Sequence, residues 1–182
     1  MAKDTLSRSL HDVGLAAWFG GTLANAVALN PAAAEADTAN GTGRVANKGW
    51  NNWTPVNAVA IGAHLAGSVG ELVGNRSRLT LQQGAGSTAL AKTGLTVAAL
   101  AVTGYSRVLG RKVAEDADVP ALSGTESAAS TPETVSKAQK QLSALQWIIP
   151  VLTGALIVVS SLAGEQQRAS EVKKGFLARL TG

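Results

Sequence analysis

QLSALQWIIPVLTGALIVVSSLAG, residues 141–164, contains no Asp, Glu, Lys or Arg. A helix rises 1.5 Å per residue, so about 20 apolar residues cross a hydrocarbon core of about 30 Å, and this stretch is long enough to do so. Two more charge-free runs of similar length cover 13–34 and 49–70. A fourth, 93–106, is shorter and follows Lys92. It reaches spanning length if Lys92 lies one turn inside and extends its ammonium back to the interface, which gives a span over 89–108. The expectation is an all-α integral membrane four-helix bundle. It forms one membrane domain over 1–182, with transmembrane helices at about 13–34, 49–71, 89–108 and 142–164.

Composition agrees with that class. Charged residues make up 15% of the chain, against about a quarter in soluble proteins, and hydrophobic residues make up 46%. Trp50 and Trp53 open the second run, Tyr105 closes the third and Trp147 lies near the start of the fourth, as interfacial aromatics do. Pro55 is expected near a helix start, whereas Pro150 removes a backbone bond inside the fourth helix. A rival reading takes 1–34 as a cleaved leader, because Lys3 and Arg8 precede an apolar run ending in Ala32, Ala33 and Ala34; the run is longer than a usual leader core. The chain has no Cys, which excludes disulfides, a thiolate nucleophile, an Fe–S cluster and a Cys-ligated zinc. The formal charge is +4, but the bases are dispersed along the membrane flanks, so no nucleic-acid partner is expected.

Ala and Gly add little to insertion, and Asn25 and Asn57 oppose it, so these helices need one another. Small residues recur every fourth position in the first helix (Ala16, Gly20, Ala24, Ala28) and in the second (Ala58, Gly62, Ala66, Gly70). Each row lies on one helical face, where two backbones can approach closely, so helix one is expected to pack on helix two through these rows.

Four spans put both termini on one face of a cell (plasma) membrane. That face collects Lys3, Arg8, Arg76, Arg78, Lys92, Arg168, Lys173, Lys174 and Arg179, against Arg44, Lys48, Arg107, Arg111, Lys112, Lys137 and Lys140 opposite. The excess of bases favours cytoplasmic termini. Residues 170–181 read as an amphipathic basic segment or as a polar tail. Residues 113–134, rich in Ala, Ser, Thr and acid, read as a mobile, disordered loop between helices three and four. Thr131, Pro132 and Glu133 then start a helix with Val135, Ala138, Leu142 and Leu145 at helical spacing, an amphipathic stem offered to a partner or to the loop after helix one.

His11 and His64 are the only histidines and raise the question of a bis-His haem or a metal. Helix one enters the membrane near residue 13, and helix two carries His64 about six residues before its exit, so the imidazoles are expected to differ in depth by roughly 10 Å or more. No carboxylate cluster accompanies either, and no catalytic, cofactor or metal residue is assigned. His11, Asp12, Glu71 and Lys92 fall near the terminal face and could form an ion-paired patch; Ser9 with Asp12 also fits a capping box.

The opening Leu10-His11-Asp12-Val13-Gly14-Leu15-Ala16-Ala17-Trp18-Phe19-Gly20-Gly21 is similar to the His, Trp and Gly-Gly pattern of the first helix in CopD-like and related small membrane proteins. The later helices have no counterpart there, and no copper role is implied. Together with Trp53-Thr54-Pro55-Val56-Asn57 and Gly164-Glu165-Gln166-Gln167-Arg168, the same opening resembles small actinobacterial four-helix membrane proteins without assigned function. That resemblance implies a fold and no site residues.

The first functional expectation is therefore a non-enzymatic accessory or scaffolding subunit without a cofactor, whose partners are membrane lipids and other transmembrane proteins or itself. The alternative is a small transporter or lipid-handling protein with a polar path through Asn25, Asn57, His64 and the terminal-face charges. A third reading is a membrane redox or metal-binding protein.

Overall fold

The computed structural model describes residues 2–76, 85–115 and 118–165. Helix α1 (Ala2–Ala24) runs on through a π-helical turn (Asn25–Leu29) and two short turns, Asn30–Ala32 and Ala33–Glu35. Extended backbone at Ala36 ends it. The Thr38 hydroxyl then accepts from the Gly41 N–H at 3.0 Å and caps α2 (Ala39–Gly74). Helix α3 (Ala85–Ala114) carries Arg111 and Lys112 in its last turn, where cations offset the helix dipole. Strands β1 (Ala121–Ser123) and β2 (Glu126–Ser127) form a small antiparallel hairpin, and α4 (Glu133–Glu165) completes the chain described.

Apart from that hairpin the fold is helical, and three helices are long and apolar enough to cross a membrane: Thr5–Glu35, Ala39–Gly74 and Glu133–Glu165. The expected third span lies within α3, which has the length but is not among these three. Thr93, Gly94, Thr96, Thr103 and Gly104, with Lys92, dilute its apolar content.

The helices pair unequally. Helix α1 lies along α2, α3 lies along α4, α1 touches α4 less, and α2 barely meets α3. Leu15, Trp18, Ala99, Ile149 and Leu156 form the central core, flanked by Ile61, Leu95 and Leu152. A second cluster joins Leu109 and Val113 of α3 to Ala138, Val135, Leu142 and Leu145 of α4. The stem of α4 therefore starts at Glu133 as the sequence suggests, but its apolar face is covered by α3 of the same chain rather than offered to a partner.

Several expectations need correction. Helix α2 begins ten residues before the charge-free run, because helix formation follows capping at Thr38 and not hydropathy, so Pro55 lies inside the helix on an exposed position. Asp12 is likewise mid-helix and caps nothing. The α1–α2 pairing holds, but its contact row is different. Ala16, Gly20, Ala24 and Ala28 are exposed, as are Ala58, Gly62 and Ala66, and a Cβ at Gly20 or Gly62 would meet nothing within 4 Å. Of the two rows only Gly70 enters the interface, against Ser7. The true contacts are Gly14 on Ala60 and His64, Gly67 on Ser7 and His11, and Gly21 on the Trp53 ring.

The stretch expected as a mobile loop is folded where it is described. Val119 and Ala121 are buried, the Gly124 N–H donates to the Asn30 carbonyl at 3.0 Å, and the Thr131 hydroxyl donates to the Pro120 carbonyl at 2.6 Å. Polar, small-residue composition here serves close packing against Gly43 and Asn30. The basic segment at 170–181 lies outside the described residues.

Candidate functional site

Because α2 and α3 diverge, a cleft of about 310 Å³ opens between them toward the hairpin end of the bundle. This is the lower end of the roughly 300–1,000 Å³ typical of small-molecule sites. Asn51 and Arg107 lie at one end, with the Arg107 guanidinium donating to Asn51 Oδ1 at 3.4 Å. Ile61, Leu100 and Ile149 line the other end, in the apolar centre. Ten residues of α2, about 15 Å of helix, separate Asn51 from Ile61.

Three buried polar atoms of the cleft lining have no partner: Trp53 Nε1, Asn57 Oδ1 and the Ser106 hydroxyl. Buried polar groups in folded proteins are overwhelmingly hydrogen-bonded, so three orphans close together in the fold, two from α2 and one from α3, stand out. Arg107 makes no ion pair among the described residues. The hairpin closes one side of the cleft through Gly124 and Thr125. A hydrogen-bonded chain holds that side in place. Trp50 Nε1 donates to Asn30 Oδ1 at 2.9 Å, Asn30 Nδ2 donates to Gln146 Oε1 at 2.7 Å, and Gln146 Nε2 donates to the Thr125 hydroxyl at 3.2 Å.

At the opposite end of the bundle a second pocket of about 300 Å³ lies between α1 and α4, lined by Arg8, His11, Asp12, Glu71, Lys92 and Ser160. The terminal-face residues singled out in the sequence thus do come together. Lys92 Nζ sits 2.9 Å from Glu71 Oε2, with both side chains less than one-fifth exposed. His11 Nδ1 lies 2.8 Å from Asp12 Oδ1, and since a carboxylate only accepts, that nitrogen carries the proton. His11 Nε2 and the Ser160 hydroxyl have no partner.

The histidines correct the depth argument. Their ring centroids are 4.6 Å apart, because α1 starts at Ala2 and the antiparallel register sets His11 beside Gly67 and His64 beside Gly14. Entry points taken from charge boundaries misplace both rings. Contact between the rings at a 51° tilt leaves no room for a porphyrin between them, and the nitrogens of His64 are engaged elsewhere, Nδ1 with the His11 carbonyl and Nε2 with the Thr96 hydroxyl, each at 3.4 Å. Among the described residues no group of three or more His, Cys, Asp or Glu could hold a metal ion.

The polar residues taken together from sequence fall in different places: Asn57 lines the first cleft, His11, Asp12, Glu71 and Lys92 line the second pocket, and His64 is buried where α1, α2 and α3 meet. Asn25 is buried in the π-helical turn and its Nδ2 has no partner. Nothing in the sequence marks Ser106 or Arg107 as cleft residues, and Trp53 reads there as an interfacial aromatic; the one available signal is that Trp53 and Asn57 are spaced i, i+4 on one face.

No family model, curated protein or solved structure matches this chain. The class it belongs to is thus defined by the fold itself: a helical protein with three helices long and apolar enough to cross a membrane.

Proposed function

We propose that the chain is a non-enzymatic integral membrane protein whose four long helices all cross the plasma membrane, with cytoplasmic termini, and that it handles lipid by holding a membrane amphiphile between α2 and α3. The observation that carries this is the cleft, which is apolar at mid-depth, where Ile61, Leu100 and Ile149 line it, and basic at its mouth, where Arg107 stands. Pairing of Lys92 with Glu71 supports a crossing by α3, since it offsets the charge that its sequence would bring into the bilayer. Photolabelling in proteoliposomes with a diazirine-bearing fatty acid tests the reading. Labels are expected on the cleft-lining Ile61 and Leu100, and labels confined to outward residues such as Val59 and Val97 would overturn it.

A second reading, the accessory or scaffolding subunit, is favoured by the outward rows. Gly20 and Gly62 face no neighbour in this chain, so another transmembrane helix can approach either backbone closely. The chain has no native Cys, so Gly20→Cys reports directly on self-association: oxidation should give a cross-linked dimer that an exposed Val13→Cys does not form, and a monomer in both would remove a second copy as the partner.

A further inference from the structure

On the reading that the α2–α3 cleft holds a membrane amphiphile, the charge of its lining selects which one. We infer that the ligand is an anionic phospholipid of the surrounding leaflet, with its phosphate on Arg107 and an acyl chain along Ile61 and Leu100, and that Arg107 sets this preference.

Arg107 alone among the lining residues carries a charge, and no carboxylate lines the cleft. A guanidinium stays protonated, so the mouth holds a permanent positive charge. Within the chain that charge is poorly compensated. Arg44 pairs with Asp118, Lys92 with Glu71 and Lys137 with Glu133, whereas Arg107 has no ion pair among the described residues and donates to Asn51 Oδ1 at 3.4 Å. That distance is long beside the roughly 2.7–2.9 Å of a guanidinium on an oxyanion, so a phosphate offers Arg107 a stronger partner than the one it has.

Depth agrees with a bilayer lipid. Trp50 and Trp53 on α2 and Tyr105 on α3 stand at the same end as Arg107, and aromatic residues of this kind mark the headgroup level. Leu100 lies seven residues back along α3, about 10 Å deeper, and with Ile61 and Ile149 gives an apolar surface at the depth of acyl chains. Asn51, Ala58 and Gly104 line the cleft and are exposed, so it opens along its flank as well as at its mouth, and a lipid can enter sideways without leaving its leaflet. A zwitterionic phospholipid carries the same phosphate together with a cation, which Arg107 repels and for which the lining has no carboxylate. Net charge, rather than phosphate as such, is what this lining distinguishes.

The test is competition between palmitoyl-oleoyl phosphatidylglycerol and palmitoyl-oleoyl phosphatidylcholine for the full chain in nonionic detergent, read by native mass spectrometry. The two lipids share chains and phosphodiester and differ in net charge. Phosphatidylglycerol should be retained about fivefold or more over phosphatidylcholine, the scale of one basic residue acting on an anionic headgroup. Arg107→Gln should bring the ratio close to one, and Arg107→Lys, which keeps the charge, should retain most of it. Arg111→Gln, at the same end of α3 but outside the lining, should leave it unchanged. Equal retention of the two lipids, or an equal loss with Arg111→Gln, would overturn the inference, because the preference would then be absent or belong to the basic surface as a whole. Oleate against its methyl ester separates the sources of negative charge: oleate retained through Arg107 without a preference for phosphatidylglycerol would replace the phospholipid by a fatty-acid carboxylate. Photolabelling of Ile61 and Leu100 in a protein without headgroup preference would overturn this inference alone, and absence of both would overturn the broader reading with it. Helical content by circular dichroism, unchanged in each variant, separates loss of ligand from loss of fold.

Discussion

His11 and His64 touch, with ring centroids 4.6 Å apart, yet the two imidazoles stand in different chemical situations. His64 bridges three helices: its own α2, α1 through the His11 carbonyl, and α3 through the Thr96 hydroxyl. His11 is held on one side by Asp12 and leaves Nε2 without a partner beside the terminal-end pocket. One histidine is thus part of the packing, and the other keeps one ring nitrogen without a partner.

His64→Ala should therefore lower stability far more than Asp12→Asn. It deletes a fully buried ring, opens a cavity and leaves Thr96 without its partner, a loss of about 2–5 kcal/mol for large-to-small changes at such sites. The Asp12 side chain is more than half exposed, and its amide still accepts from His11. Thermal unfolding in detergent, followed by circular dichroism, checks this; equal midpoints for the two variants would contradict the bridging role of His64.

Opposite signs are expected for two glycines five residues apart on α2. A Cβ at Gly67 meets the His11 and Ser7 backbones, which cannot move aside cheaply, so Gly67→Ala should cost about 1–3 kcal/mol. At Gly62 the space is open, and Gly62→Ala should gain up to about 1 kcal/mol from helix propensity. The same unfolding assay reads both, and a destabilising Gly62→Ala in the isolated protein would mean that this outward face is already packed.

That contrast shows what the sequence could and could not disclose. Helix number, the start of α4 at Glu133 and the α1–α2 pairing follow from charge-free length, capping and proximity along the chain. The interface row does not, because an Ala-rich helix presents small residues on every face. Gly20 and Gly14 look alike until the partner's register is known, and that register is fixed by Trp53 resting on Gly21 and His64 on Gly14. For the same reason the cleft was invisible: it exists where α2 and α3 fail to meet, and periodicity within one helix carries no information about the gap between two. Asn57 was visible as a polar residue in an apolar run, but its neighbours Ser106 and Arg107 come from another helix.

The ion pairs should divide by burial. Glu71 and Lys92 are 19% and 17% exposed, so a double-mutant cycle with Glu71→Gln and Lys92→Met should give a coupling of about 1–3 kcal/mol. Arg44 and Asp118 stand at the same N–O range, 2.8 Å, but are 60% and 62% exposed, and their coupling should stay below about 1 kcal/mol and vanish in high salt. Comparable couplings for the two pairs would show that the terminal-end pocket is as wet as the surface.

The hairpin provides the most local of these tests. Gly124 lies so close to Asn30 that an added Cβ would strike the Asn30 side chain, which accepts a hydrogen bond from the Trp50 indole N–H and donates one to Gln146. Gly124→Ala should therefore disturb two things together: the Gly124–Asn30 backbone bond that seats the hairpin, and the Asn30–Gln146–Thr125 chain that closes one side of the α2–α3 cleft. The helical core at Leu15, Trp18 and Leu156 does not depend on either. Hydrogen exchange should accordingly speed up across 118–131 and at Trp50 while amides around Leu15 and Leu156 keep their protection, the pattern of a subglobal opening. Loss of protection throughout would mean that the hairpin stabilises the whole bundle, and no change anywhere would mean that the Asn30 network adjusts to the extra methyl without strain.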